Sequence, residues 1–263
     1  MVLPGMAADG GGPRSERTGQ GLRRLLGPGA RNRLGRVAAV VGRPLASIES
    51  VVTSRPVLAL TFDDGPDPDV TPAILDVLAG TSARCTFFVL AQRAEAHPRL
   101  VRRMVDEGHE LGVHSVDHRH LPDLRGSELT AQILGARDRI AAVGGVRPAL
   151  FRPPFGEQTV RSLVRTRRHD MRVVLWSDWV EDWVDQPADE VRSRMTAAAR
   201  RGGILLFHDG LAAAPGDRPP RTSFDRATVV RGFLDDITAQ GLAAVTTSEL
   251  LQLGRPRRRF VIW

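Results

Sequence analysis

Lysine and tyrosine are absent from this 263-residue chain, and cysteine occurs once, at Cys85. A single cysteine excludes an intramolecular disulfide and any zinc site built on several thiolates. It lies in the strand-like run CTFFVL, where a buried structural thiol fits better than a nucleophile. No apolar run approaches the roughly 18–20 residues of a membrane span. With lysine missing, all 37 basic side chains are arginine, a usage that tracks base composition and carries no functional weight. Their distribution is informative. Residues 1–55 hold nine Arg against three acids, and residues 255–263 hold four Arg and no acid. The body from 56 to 254 has 24 Arg against 27 acids. The positive charge therefore belongs to the ends, and the near-neutral body argues against a nucleic-acid-binding core.

The same contrast divides the chain into three parts. Residues 1–50 form a basic extension, 51–254 a single folded domain, and 255–263 a basic tail. Gly, Pro and charge dominate residues 1–19, which have too little apolar surface to fold. Leu22, Leu25, Leu26, Leu34 and Val37 stand among arginines. That pattern reads as a loosely docked extension, with a broken basic amphipathic helix in weak contact with a membrane surface as the alternative. The piece VAAVV is too short for the apolar core of a signal peptide, so a cytoplasmic location is expected. From Val57 strands and helices alternate. PVLALTF is a strand, and TPAILDVLAG a helix with Thr71 as N-cap and Pro72 in its first turn. About seven such β/α units imply a parallel sheet curled into an α/β barrel, distorted and incomplete, of TIM-barrel type.

Polar chemistry collects at the carboxyl ends of these strands: Asp63 and Asp64, His114 and His118, Arg152, Asp182, His208. In a parallel barrel those ends converge on the face that carries the active site. The stretch TFDDGP ends its strand with two adjacent carboxylates, which repel unless a cation or a catalytic task accounts for them. In HSVDH the two histidines are spaced i, i+4, which on a helical turn places both imidazoles on one side. One aspartate with two histidines is a three-ligand set that leaves coordination positions open for catalysis. It leaves the second carboxylate free beside the cation. His120 breaks the spacing and reads as peripheral.

TFDDGP, HSVDH, RPPFG, DW at 182–183 and LLFHDG occur in this order. Together they resemble the polysaccharide deacetylases with a NodB-homology domain, carbohydrate esterase family 4, over about residues 56–253. The resemblance implies that Asp63 is the general base and that Asp64, His114 and His118 hold one divalent metal ion. Zinc is the ion expected, with cobalt or another transition metal as alternatives. It further implies that Arg152 orients Asp63, that the backbone N–H of Phe155 binds the oxyanion, and that His208 is the general acid, tuned by Asp182. Trp183 and Leu206 would shape the acetyl pocket, with Trp179 and Pro154 beside them. Two positions depart from the family pattern. Phe155 stands where Tyr is frequent, and Trp179 stands where an aspartate is common, with Asp178 one residue sooner.

The expected activity is metal-dependent removal of acetyl groups from an N-acetylated amino sugar, oligosaccharide or polysaccharide, by a monomer that binds no nucleic acid. An O-acetyl glycan esterase would use the same groups. A catalytically silent glycan-binding domain would have lost a ligand or the base, and this chain keeps all of them.

Overall fold

The structure is a computed structural model, and it describes residues 46–260 and residue 262. The chain divides into units Met1–Pro44 and Leu45–Trp263. The first unit, with most of the expected basic extension and its membrane-touching alternative, lies outside the described residues.

In chain order the second unit has β1 (Ser47–Val52), β2 (Val57–Asp63), α1 (Thr71–Ala79), β3 (Thr86–Val89), α2 (Ala91–Ala96), α3 (Pro98–Asp106) and β4 (Glu110–Val113). There follow α4 (Gly126–Thr130), a π-helical turn at Ala131–Gly135, α5 (Ala136–Gly144), β5 (Leu150–Phe151), α6 (Val160–Arg168), β6 (Arg172–Val173) and β7 (Asp178–Trp179). The chain closes with α7 (Ala188–Ala198), β8 (Ile204–His208), α8 (Arg226–Ala239), β9 (Ala243–Ala244), α9 (Thr247–Gln252) and β10 (Arg255–Arg259).

The main sheet runs β6-β5-β4-β3-β2-β8-β7, with β9 on β2, and every pairing in it is parallel. The seven strands curl into the expected incomplete barrel. Side chains alternate across a strand with period two, and this parity sorts the residues. Leu58, Leu60 and Phe62 of β2 face outward to the helices, packed with Phe87, Val113, Phe151 and Phe207. The Phe62 and Phe87 rings stack at 4.8 Å, and truncating either to Ala would cost roughly 3–5 kcal/mol. Ala59 turns inward with Phe88, Leu150 and Ile204, and this inner core is filled by Ile48 and Val51 of β1 and by Leu250 and Leu251 of α9.

Three local features differ from expectation. Thr71 does not cap α1; Val70 does, with no side-chain bond, because the Thr71 hydroxyl is turned 2.7 Å onto the carboxylate of Asp209. Residues 255–259 are not a tail. They form β10, antiparallel to β1, so the folded unit includes Ser47 and reaches Arg259. In residues 47–52 Ile48 and Val51 are buried in the inner core, which takes the segment out of the extension.

Candidate active site

The same parity aims the functional side chains. On β2 it places Thr61 and Asp63 on the inner face, and on β8 it places Leu206 and His208 there. Arg152, just past β5, is fully buried on that face and lies 4.1 Å over the ring of Phe88. Its Nη1 donates to Asp63 Oδ1 at 2.6 Å and to the Thr61 hydroxyl at 2.7 Å, while Nη2 donates to the Leu175 carbonyl at 2.9 Å. A charge so buried stays because its partners are in place. Gly112 of β4 allows this packing, since a Cβ there would fall 2.4 Å from the Phe88 ring.

Asp64 takes a left-handed backbone (φ 73°), a conformation that a short polar side chain tolerates. It therefore stays on the site beside Asp63, both carboxylates facing His114 Nε2. Asp64 Oδ2 accepts from the backbone N–H of Ala212 at 2.8 Å. Asp64 Oδ1 is buried with no hydrogen-bond partner, and it lies 3.3 Å from Nε2 of both His114 and His118. His114 Nδ1–H donates to the Arg152 carbonyl at 2.8 Å, which leaves its Nε2 as a lone pair facing the carboxylate. Burial holds His118 down at about 4, so it is a neutral imidazole near neutral pH. The three donors lie within 4.8 Å of one another. Tetrahedral bonds of 2.0–2.1 Å set neighbouring donors roughly 3.3 Å apart, so the donor set and its unmatched oxygen fit a divalent metal ion. The histidines reach this arrangement by a loop rather than the expected helical turn: Ser115 and His118 have φ of 76° and 64°.

Across the site, His208 Nδ1–H donates to Asp182 Oδ1 at 2.8 Å, and its backbone N–H donates to Oδ2 at 3.0 Å. Burial opposes the charge on His208, but the Asp182 carboxylate overrides it and raises the imidazole to about 9. Asp64 shows the converse balance: burial disfavours its charge, yet the imidazoles of His114, His118 and His208 around it hold it well below the usual carboxylate range. The two sides of the site thus hold an ionised carboxylate near the histidines and a protonated imidazole at near-neutral pH.

Asp63, Asp64, His114, His118 and His208 open on one cavity of about 400 Å³. Phe155, Trp176, Trp183, Leu206 and Pro220 line it. Trp183 meets the His208 ring edge-on at 5.6 Å. Two expected pocket residues do not line it. Pro154 is buried in the turn before Phe155, and Trp179 is 51% exposed on β7. Strand β7 is paired only at Asp178 and Trp179, and the Trp179 side chain stands in solvent there. His120 is at the rim, stacked on Phe155 at 4.1 Å with Nδ1 bonded to Glu157 at 2.7 Å.

Sequence reasoning missed Arg226 and Asp209. Arg226 is buried behind Asp182, donating to its carbonyl at 2.8 Å with Nη1 3.6 Å from Oδ2. Asp209 accepts from the Gly65 N–H and the Thr71 hydroxyl, tying the TFDDGP loop to the end of β8. Burial raises Asp209 to about 7. A carboxylate next to His208 in LLFHDG was a visible signal for the second; nothing local marked Arg226.

The arrangement defines a class: a parallel α/β barrel with an Asp/His/His metal-binding cluster at its strand ends, flanked by an arginine-held carboxylate and an aspartate-held imidazole. Residues 50–174 match the family model described as polysaccharide deacetylase. The chain is 36% identical over 211 residues to the peptidoglycan-N-acetylmuramic acid deacetylase PdaC of Bacillus subtilis, a match covering 80% of this chain and 42% of that protein. It is 32% identical over 205 residues to a peptidoglycan-N-acetylglucosamine deacetylase of Bacillus cereus, covering 77% of this chain and 91% of the relative. The crystal structure of a peptidoglycan N-acetylglucosamine deacetylase in complex with a naphthalenyl N-oxidanyl-benzamide superposes with a TM-score of 0.71 at 27% identity, covering 84% of this chain and 98% of that one. The chain belongs to the polysaccharide deacetylase family.

Proposed function

We propose that this protein is a metal-dependent deacetylase that hydrolyses the acetamido group of an N-acetylated amino sugar, free or within a glycan. The observation that carries the reading is the buried, unpartnered Asp64 Oδ1 between two imidazole nitrogens, on a cavity that also holds Asp63 and His208. In this reading Asp64, His114 and His118 hold the ion, and their one-oxygen, two-nitrogen set favours zinc. When bound, the ion supplies a Lewis acid that polarises the acetyl carbonyl and makes water a better nucleophile near neutral pH.

The protein's own groups do the rest. Asp63, oriented by Arg152, takes a proton from the attacking water as its oxygen bonds to the carbonyl carbon. The Phe155 N–H donates to the oxyanion that develops. His208 is charged below about 9, and it protonates the sugar nitrogen as the C–N bond breaks. The products are acetate and the free amine. Trp183 and Leu206 close around the methyl group, and Trp176 offers a face to the sugar ring. The protein acts as a monomer in the cytoplasm under this proposal, which fractionation against membrane and wall markers and a sedimentation measurement test.

The deciding assay is acetate release from a panel of N-acetyl and O-acetyl saccharides by metal-stripped protein and by protein reconstituted with zinc or cobalt. Release from N-acetyl sugars only after reconstitution supports the reading. Release by stripped protein, or from O-acetyl esters alone, overturns it.

A further inference from the structure

Several arginines elsewhere on the described surface face carboxylates. Arg103 meets Asp76 and Glu107, Arg139 meets Glu95, and Arg192 meets Asp236. One region concentrates arginines with almost no acid beside them. Helix α6 ends in the sequence RTRR, Arg172 opens β6, and β10 reads RPRRR. These pieces adjoin: β10 pairs β1, and β1 bridges to the end of β6 at Ile48–Val174. Along β10 Arg258 turns back toward Arg167, and Arg255, Arg257 and Arg259 alternate to the outer side and carry the basic face. Arg167 and Arg258 both donate to the Ala46 carbonyl, at 2.6 and 3.3 Å, so two guanidinium groups share one backbone acceptor. Burial first, and then a neighbouring arginine in each case, lowers both from their ordinary range. Among the described residues, the only carboxylate paired with any arginine of this face is Glu49, 3.4 Å from Arg259.

Two exposed apolar side chains belong to the same strand pair and its continuation. Val52, paired in register with Arg255, is 56% exposed, and Ile262, three residues beyond Arg259, is 47% exposed. The face lies away from the active-site mouth. Arg172 begins its strand, and Trp176, four residues further on, already lines the cavity at the carboxyl ends.

We propose that this face docks the protein on a bilayer containing anionic phospholipid. Guanidinium groups match phosphate oxygens in a two-pronged geometry. Val52 and Ile262 supply the apolar contact that lets a basic surface settle into the headgroup boundary. A soluble polyanion would use the arginines and leave both apolar side chains in water. Docked this way, the cavity opens away from the bilayer, and the site stays accessible. The inference stands apart from the deacetylase reading, since none of these residues touches the cavity.

The test is co-sedimentation of the full chain with vesicles of phosphatidylcholine alone or with about one-third phosphatidylglycerol, at low and at high salt. Binding is expected only to the anionic vesicles, and it should fall steeply with salt. The combined variant Arg255→Gln, Arg257→Gln and Arg259→Gln should weaken it on the order of a hundredfold, from the contribution of each basic residue near such a surface. Ile262→Ser should weaken it roughly tenfold. Acetate release from a soluble substrate should be unchanged in both variants. No binding to anionic vesicles overturns the proposal. So does binding that survives the β10 variant and is lost only when Arg23, Arg24, Arg31 and Arg33 are changed to Gln. Equal binding of a duplex oligonucleotide, with no effect of Ile262→Ser, assigns the face to nucleic acid and also overturns it.

Discussion

Replacing Asp182 with Asn tests the acid half of the site most directly. Asp182 is fully buried and accepts both the ring N–H and the backbone N–H of His208. Asn keeps the shape and an accepting oxygen but removes the charge. His208 is raised from 6.5 to about 9 against an opposing burial effect, and Asp182 supplies the largest favourable contribution. Without it the imidazole should fall to its ordinary value or below. At pH 8 a group at about 9 is mostly protonated, whereas one at 6.5 is protonated for about one molecule in thirty. The activity should therefore drop roughly thirtyfold at pH 8 from protonation alone, and the loss should shrink toward pH 6. Stability carries the same signature. A raised folded-state pKa stabilises fully below the unfolded value of 6.5 and is lost as pH rises through about 9. That term amounts to roughly 3 kcal/mol, so thermal melting of the parent should fall across this window and that of the variant should be flatter. The assay is a pH–rate profile of acetate release beside melting curves, with metal content checked in both proteins. An alkaline limb that stays near pH 9 in Asp182→Asn, or a loss of equal size at every pH, would refute the assignment of His208 as an acid tuned by Asp182.

Four further outcomes follow from the geometry. Asp64→Ala or His114→Ala should release most of the bound metal, because two protein ligands are too few for a stable site; full occupancy by elemental analysis would contradict the ligand set. Asp63→Asn should keep the metal and lose about 10²–10⁴-fold in kcat, the usual worth of a general base, so near-parental turnover would make that carboxylate structural. Arg226→Gln should lower stability by roughly 2–4 kcal/mol by leaving the buried Asp182 less compensated, with Arg226→Lys recovering part of it in thermal denaturation. A chain beginning at Leu45 should fold and retain turnover, whereas one beginning at Val52 removes the β1 partner of β10 and should be visibly destabilised.

The parallel barrel and the site were legible in the sequence because strands and helices alternate and the strands end in polar residues. Near-continuous apolar runs mark β2 and β8 as buried strands, and counting by two from Ala59 and Ile204 places Asp63 and His208 on the inner face. The family resemblance then named the cluster that the structure assembles around Asp64. What escaped notice had no local signature. Residues 47–52 show six positions of a strand whose reason to exist is β10, about 200 residues away. Arg226 begins a helix and reads as an ordinary surface charge until Asp182 is placed against it. Trp179 looked like a pocket residue because it precedes DW, yet β7 has only two paired residues and holds that ring in solvent. The histidine pair was found by the right spacing for the wrong reason, since a loop with two left-handed residues does the work assigned to a helical turn.

Those left-handed residues bear on how two adjacent carboxylates acquire different tasks. Along a regular strand Asp63 and Asp64 would point to opposite faces, one inward and one into the helical layer. The positive φ at Asp64 breaks the alternation at the last position, so both side chains remain on the site. Their environments then diverge. Asp63 is 2.6 Å from Arg152, which is itself fixed by Thr61 and two backbone carbonyls. Asp64 keeps one oxygen for Ala212 and leaves the other unmatched between two imidazoles. Phe155 repeats the device at the far wall, with φ of 58° in the turn after Arg152. Each such residue costs on the order of 1–3 kcal/mol and persists only where the surroundings over-determine it. Here the surroundings are the Arg152 network and the tie from Asp209 to Gly65. The strain therefore has a structural counterweight on the same strand ends, and weakening that counterweight should loosen the metal-binding geometry before it unfolds the barrel.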